Sequence, residues 1–196
     1  MELLQHYKNR KKEIKQRLKD FKNQKDHFYE LCFCLLTPQS NAFKCNECIQ
    51  ILKNKDFLGR SFDIKPILRK YTRFYKIKSK YLIEIRNNKN NILKELNSIK
   101  NPNEKRDFLV ENVKGLGLKE ASHFLRNIGN RNLAILDRHI LKNLEKLNII
   151  KEIPKNLNKH YFEIEKKFMQ FSKDINIDMD ELDLLFWSMQ TGKVFK

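Results

Sequence analysis

Apolar residues recur along this chain at spacings of three and four, and they almost never alternate with polar ones. In 160–172, Tyr161, Ile164, Phe168 and Phe171 fall on one helical face, and in 181–189 Leu182, Leu185, Phe186 and Met189 do the same. No segment shows sustained apolar/polar alternation bounded by turn residues, the mark of a half-buried strand. The pattern predicts about ten short helices, near residues 2–22, 26–36, 40–53, 64–70, 74–86, 90–98, 104–112, 118–127, 138–147, 159–173 and 179–190. Pro38, Pro66, Pro102 and Pro154 mark helix starts or breaks. The stretch Lys8 to Lys25 is dense in lysine, yet Leu3, Leu4, Tyr7, Ile14, Leu18 and Phe21 keep a helical stripe, so it reads as the solvated face of a helix rather than a disordered arm. There is no internal repeat and no low-complexity segment. An all-α fold is expected.

The charge narrows the partner. Lys and Arg total 41 against 24 Asp and Glu, a formal charge of +17 on 196 residues. A chain this basic attracts a phosphate backbone whatever its base sequence, although an overall lysine bias would produce the same balance. No long basic amphipathic segment stands apart from a core pattern, and no apolar run approaches the roughly 20 residues needed to span a bilayer. A membrane partner is therefore not expected. The N-terminus is charged from its second residue and does not read as a signal peptide. An intracellular protein, cytoplasmic and nucleoid-associated rather than secreted, is expected. Cys32, Cys34, Cys45 and Cys48 show C-x-C and C-x-x-C spacings. The first pair lies in the apolar run Leu-Cys-Phe-Cys-Leu-Leu, which suits core cysteines better than metal ligands, and no metal site is expected.

The most informative stretch is Val113-Lys-Gly-Leu-Gly-Leu-Lys-Glu-Ala121, followed downstream by Asp137 in Ile-Leu-Asp-Arg-His. Gly115 and Gly117 flank a single apolar residue, Leu116, between two helical patterns. Glycine tolerates positive φ and lets another backbone come close. A hairpin of this kind leaves backbone N–H groups free at the start of the second helix, where they can hold a phosphate. Lys119 sits in the first turn of that helix. Lys114, in the hairpin, suits a phosphate contact or a solvent-facing loop equally well. Asp137 precedes Arg-His-Ile-Leu-Lys and reads as a helix N-cap, which would also fix where its carboxylate points. His139 either contacts a phosphate or completes the helix turn.

This stretch resembles the helix-hairpin-helix signature of base-excision DNA glycosylases, with Lys119 in the place of their Schiff-base lysine and Asp137 at the separation their catalytic aspartate shows. A lysine attacks only as the neutral amine, a form favoured by the positive end of a helix and by a dry pocket. The segment Leu35-Leu-Thr-Pro-Gln-Ser40 resembles the part of these enzymes that fills the gap left by a flipped base, with Gln39 able to hydrogen-bond the orphaned partner base. The bland reading of that segment is a helix break at Pro38 with Ser40 as cap. Some members of the superfamily carry an iron–sulfur cluster after the aspartate, but no cysteine follows Cys48.

A closer resemblance, to the type 2 family of 8-oxoguanine DNA glycosylases, runs through Phe108–Gly129, through Ala134-Ile-Leu-Asp-Arg-His-Ile-Leu141, through Glu30–Thr37 and through the tail Leu182–Lys196. It is weakest over 54–100, where only Arg73-Phe74-Tyr75 stands out. It implies an all-α, two-domain helix-hairpin-helix glycosylase fold with the active site in the interdomain cleft. One domain would be 1–36 with 138–196, the other 37–137. It implies excision of 8-oxoguanine from double-stranded DNA and strand cleavage by β-elimination, with no cofactor, by an expected monomer. It gives the final lysine, Lys196, a part in telling 8-oxoguanine from guanine, and its side chain and terminal carboxylate are both at hand if the chain ends there. Trp187 would stack on the flipped purine, although a lone Trp on an apolar helix is usually core. Asp183, one turn earlier, is a candidate acceptor for the base edge. Two other readings stay open: a glycosylase of the same superfamily acting on another oxidised base, and a non-enzymatic module using the hairpin only to grip phosphates.

Overall fold

The computed structural model describes residues 2–196 and contains, among them, ten α-helices. These are α1 (Glu2–Lys22), α2 (His27–Leu36), α3 (Ala42–Asn54), α4 (Lys65–Tyr71), α5 (Tyr75–Ser98), α6 (Pro102–Asn112), α7 (Leu118–Asn127), α8 (Arg138–Lys146), α9 (Leu157–Asp174) and α10 (Met179–Thr191). Their starts follow local capping chemistry. The Asp26 carboxylate accepts the N–H of Tyr29, Asn41 accepts that of Lys44, and Asn101 accepts that of Asn103 with Pro102 following as the first helical residue. Among the described residues no helix is long and apolar enough to cross a membrane.

One prediction from the pattern is corrected. The two helices expected at 74–86 and 90–98 are a single helix, α5. The Asn-rich tract between them, Asn87 to Asn91, contains no Gly or Pro, and each Asn costs a helix at most about 0.7 kcal/mol. Ile85, Ile92 and Leu96 stay buried along one face across the tract, and that burial outweighs the weak local preference.

The chain forms two compact units. One is Lys25–Phe124; the other runs to Gln24 and resumes at Leu125–Lys196. Both changeovers lie closer to the N-terminus than the expected 36/37 and 137/138. The reason is packing: α2 lies against α3 and α5 and so belongs to the first unit. Beyond α7, the extended stretch Leu133–Leu136 is fully buried and bound to α9.

Within the 25–124 unit, α2 is buried on almost every side, from Phe28 to Leu36, as expected of a helix that is apolar all round. All four cysteines are buried in α2 and α3. Burial raises the thiols of Cys32 and Cys45 and pushes that of Cys48 up to about 12, so these three are uncharged at neutral pH. No group of three or more His, Cys, Asp or Glu suited to hold a metal occurs among the described residues.

In the other unit α10 is the central helix, with Met179–Phe186 buried and α1, α8 and α9 packed around it. The rings of Phe168 and Phe186 stack at 5.9 Å. Three acidic residues of α10 are buried with this apolar face, and each has a partner, as burial requires. Asp180 accepts the Asn132 N–H, Glu181 accepts the Tyr7 hydroxyl, and Asp183 pairs with Arg126.

Candidate active site

The hairpin is built by α6, the five residues 113–117 and α7. Arg106 of α6, only 1% exposed, reaches across to Ser122 on α7 at 3.3 Å and ties the two helices together. Leu116 is buried at the hairpin tip, its N–H donating to the Val113 carbonyl. The two glycines differ in role. Gly115 has φ +90°, and a Cβ there would lie 2.5 Å from the Tyr81 ring and 3.2 Å from Leu35. Gly117 is outside the left-handed region and its Cβ would meet only the Glu120 carboxylate, at 3.3 Å. The Gly117 carbonyl accepts the N–H of Ala121 and so opens α7. The N–H groups of that first turn have no intrahelical acceptor and form an anion-binding end. Lys114 is well exposed and its ammonium lies 2.9 Å from Glu84.

Lys119 sits in the first turn of α7 with its side chain 26% exposed, and its Nζ is 3.1 Å from Oε1 of Glu120. Neighbouring residues of a helix do not normally face each other, so both side chains bend toward one spot beside the hairpin. Glu120 was not singled out from the sequence. An acid in the first turn is the ordinary complement to the helix dipole and gives no signal of such a contact.

Lys78 was missed altogether. It is 4% exposed, and its Nζ lies 2.7 Å from the Leu36 carbonyl, 2.7 Å from that of Pro38, 2.8 Å from Thr72 Oγ1 and 3.0 Å from Ser40 Oγ. Burial is the main cause that pushes this ammonium down to about 8, and the positive charges of Lys119 and Arg73 act in the same direction. A signal existed: position 78 falls on the same helical stripe as Leu82 and Ile85, a lysine where the pattern calls for an apolar residue. Gln39 is exposed, in the turn Thr37–Ser40, with φ 53°. Phe74, at the start of α5, has φ 56°, is 53% exposed and carries the Arg73 guanidinium on its ring at 5.5 Å.

In the other unit Asp137 is the N-cap of α8. Its Oδ1 accepts the N–H of His139 at 2.7 Å and of Ile140 at 2.9 Å, and among the described residues no bond to Oδ2 is made. The approach to it is rigid. Ala134, three residues earlier, gives its N–H to Glu165 at 2.7 Å and accepts the Tyr161 hydroxyl at 2.6 Å. The His139 ring is half-buried, with Nε2 3.4 Å from Arg138 Nε. At the end of α10, Gly192 takes φ 78° and the chain folds back. Arg10 donates to the Gly192 carbonyl at 2.8 Å, and the ring of Phe195 lies 5.8 Å from that of Trp187. Trp187 and Lys196 are both half-buried. Asp183, the candidate acceptor for a base edge, is 7% exposed and its carboxylate is engaged by Arg126 at 3.2 Å.

A family model described as 8-oxoguanine DNA glycosylase matches residues 8–177. The 8-oxoguanine DNA glycosylase/AP lyase of Fusobacterium nucleatum is 44% identical, over 97% of this chain and 94% of that protein. The crystal structure of the Methanocaldococcus jannaschii 8-oxoguanine glycosylase/lyase, in complex with a 15mer DNA containing 8-oxoguanine, matches with a TM-score of 0.87 at 37% identity and covers 100% of both chains. The crystal structure of the Thermotoga maritima 8-oxoguanine DNA glycosylase matches with a TM-score of 0.86 at 32% identity, over 100% of this chain and 97% of that one. With a matching family model over most of its length and relatives well above 30% identity along nearly all of it, the chain belongs to the 8-oxoguanine DNA glycosylase family.

Proposed function

We propose that this protein is a base-excision repair enzyme that removes 8-oxoguanine from double-stranded DNA and then cleaves the abasic strand. The observation that carries this reading is the placement of Lys119 in the first turn of α7, directly after a hairpin whose first glycine has φ +90°. Its relatives and structural neighbours, named as 8-oxoguanine glycosylase/lyases, supply the substrate. We place its action inside the cell, in the cytoplasm at the nucleoid, where such DNA is found.

In this reading the hairpin amides of Gly115 and Gly117 hold a DNA phosphate, with Lys114 and His139 adding phosphate contacts. The lesion base is flipped out, Gln39 fills the gap, and the exposed ring of Phe74 offers a further stacking surface on the same unit. Trp187 stacks on the flipped purine. The neutral Nζ of Lys119 attacks C1′ of the sugar, and the C1′–N9 bond breaks with its electron pair leaving on the base. The carboxylate of Asp137, aimed by its cap, stabilises the positive charge that develops on the sugar. Opening of the sugar ring gives an imine between Lys119 and C1′. The imine acidifies C2′–H, loss of that proton breaks the C3′–O3′ bond with the phosphate leaving, and water then releases the lysine. The Glu120 contact has to be given up before Lys119 can attack. Asp183 is left to hold Arg126 rather than the base. Beyond water and the backbone amides of the hairpin, these steps use side chains of the protein.

The test is incubation with a panel of lesion duplexes in the presence of borohydride, which reduces the imine to a stable bond. Covalent capture on 8-oxoguanine duplexes is expected. Capture only on oxidised-pyrimidine duplexes would reassign the substrate, and binding without capture on any duplex would mean a module without lyase chemistry.

A further inference from the structure

We propose that Lys78 is a positioning residue for base extrusion, one that ties the Thr37–Ser40 turn to the Thr72–Phe74 segment and holds Gln39 and Phe74 in the backbone shapes they adopt. The inference rests on the reading of the chain as a glycosylase that flips its lesion base.

Gln39 and Phe74 both have left-handed backbone, at φ 53° and 56°. Neither is Gly or Asn, so each conformation costs free energy and persists only where the surroundings over-determine it. Packing is not the cause, since Gln39 is exposed and Phe74 is 53% exposed. Lys78 meets both segments, the first directly through its ammonium and the second through Thr72 and Ser40. Its ammonium donates to the Pro38 carbonyl, in the peptide that leads directly into Gln39, at 2.7 Å, while its backbone N–H donates to the Phe74 carbonyl at 3.1 Å. Around it the two segments are cross-linked. Ser40 Oγ accepts the Arg73 N–H at 3.0 Å and lies 2.9 Å from Thr72 Oγ1, and Ser40 N–H closes the turn on the Thr37 carbonyl at 3.0 Å. The ammonium also meets the Leu36 carbonyl at the C-terminus of α2, the end of a helix that favours a cation. A residue needed only to cap α2 would bind that carbonyl; this one also reaches Pro38, Ser40 and Thr72. Removing the ammonium releases the peptide that leads into Gln39 and loosens the Ser40–Thr72 cross-link that braces Arg73 and Phe74, while the helical bond from the Lys78 N–H to the Phe74 carbonyl remains.

The test compares two substrates. Lys78→Met removes the ammonium and keeps the apolar stem. Its single-turnover excision of 8-oxoguanine from a duplex is expected to fall about tenfold or more, with a matching slowing of the fluorescence rise from a 2-aminopurine beside the lesion. β-Elimination at a preformed abasic site, which has no base to extrude, is expected to stay within about threefold. In a Gln39→Ala background the same substitution should add less than about twofold, since both act through one turn. Equal loss on both substrates, or full additivity with Gln39→Ala, overturns the proposal and leaves Lys78 a helix cap. Should Lys78→Met fail to melt cooperatively, Ser40→Ala decides by the same two-substrate comparison, because it removes a partner of both the ammonium and Arg73. Absence of excision by the wild-type protein would instead sink the functional reading itself.

Discussion

Arg126, in the last turn of α7, and Asp183, on α10, form an ion pair at 3.2 Å with side chains only 2% and 11% exposed. The guanidinium also lies over the Phe21 ring at 4.8 Å. Breaking a buried pair from one side leaves a stranded charge, so Asp183→Ala or Arg126→Ala is expected to cost about 3–5 kcal/mol. For a chain of this size that lowers the melting temperature by on the order of 10 °C. The double change Arg126→Met with Asp183→Leu should recover most of the loss. Thermal unfolding of the three variants checks this. A stable Asp183→Ala that has lost only 8-oxoguanine excision would return Asp183 to base recognition.

The hairpin glycines should respond in opposite ways. Gly115→Ala puts a Cβ 2.5 Å from the Tyr81 ring at φ +90°, and the strain and overpacking together should cost about 2–4 kcal/mol. Gly117→Ala meets only a flexible carboxylate, at 3.3 Å, and should change stability by less than about 1 kcal/mol. Denaturant melts distinguish them. A drop in DNA affinity for Gly117→Ala without loss of stability would mark it as a point of close backbone approach.

Lys119→Gln should keep binding lesion duplex and lose both borohydride capture and strand cleavage, because only an amine forms the imine. Gel shift and capture on the same sample give the answer. Undiminished capture would make another amine the nucleophile.

Asp137→Asn should leave the fold intact, since Asn also caps helices well and can still accept the N–H groups of His139 and Ile140. Excision should slow by about 10²–10³, the usual scale for losing a group that stabilises transition-state charge. Activity near that of the wild type would leave Asp137 a cap and nothing more.

Guanine and 8-oxoguanine differ at N7, an acceptor in the first and an N–H donor in the second. A site that offers an acceptor there is left unpaired by guanine. The tail that folds back from Gly192, with Phe195 against Trp187, is the proposed source, through a backbone carbonyl. Deleting Lys196 should lower 8-oxoguanine excision by about tenfold or more while leaving β-elimination at an abasic site largely unchanged. Equal losses on the two substrates would indicate general damage to the unit.

Much of this molecule follows from interactions that span four residues or fewer. Helix positions, the cap at Asp137 and the hairpin before Lys119 are read from periodicity and capping chemistry, and the structure places them within a few residues of expectation, although α3 is capped by Asn41 rather than by Ser40. Lys119 stood out by its place directly after the hairpin, whereas Asp137 reads locally as a helix cap and stood out through the resemblance to the glycosylases. What the sequence by itself did not decide are matters of long-range partnership. Whether 74–98 is one helix or two turned on what Ile85 and Ile92 pack against. That Gly115 and Gly117 are unlike depended on Tyr81, and the commitment of Asp183 depended on Arg126. Lys78 looks like any other lysine of a lysine-rich chain until the fold brings it to the Leu36 carbonyl, 42 positions away. A buried charge must find its partners wherever the fold supplies them, and no local pattern names them in advance.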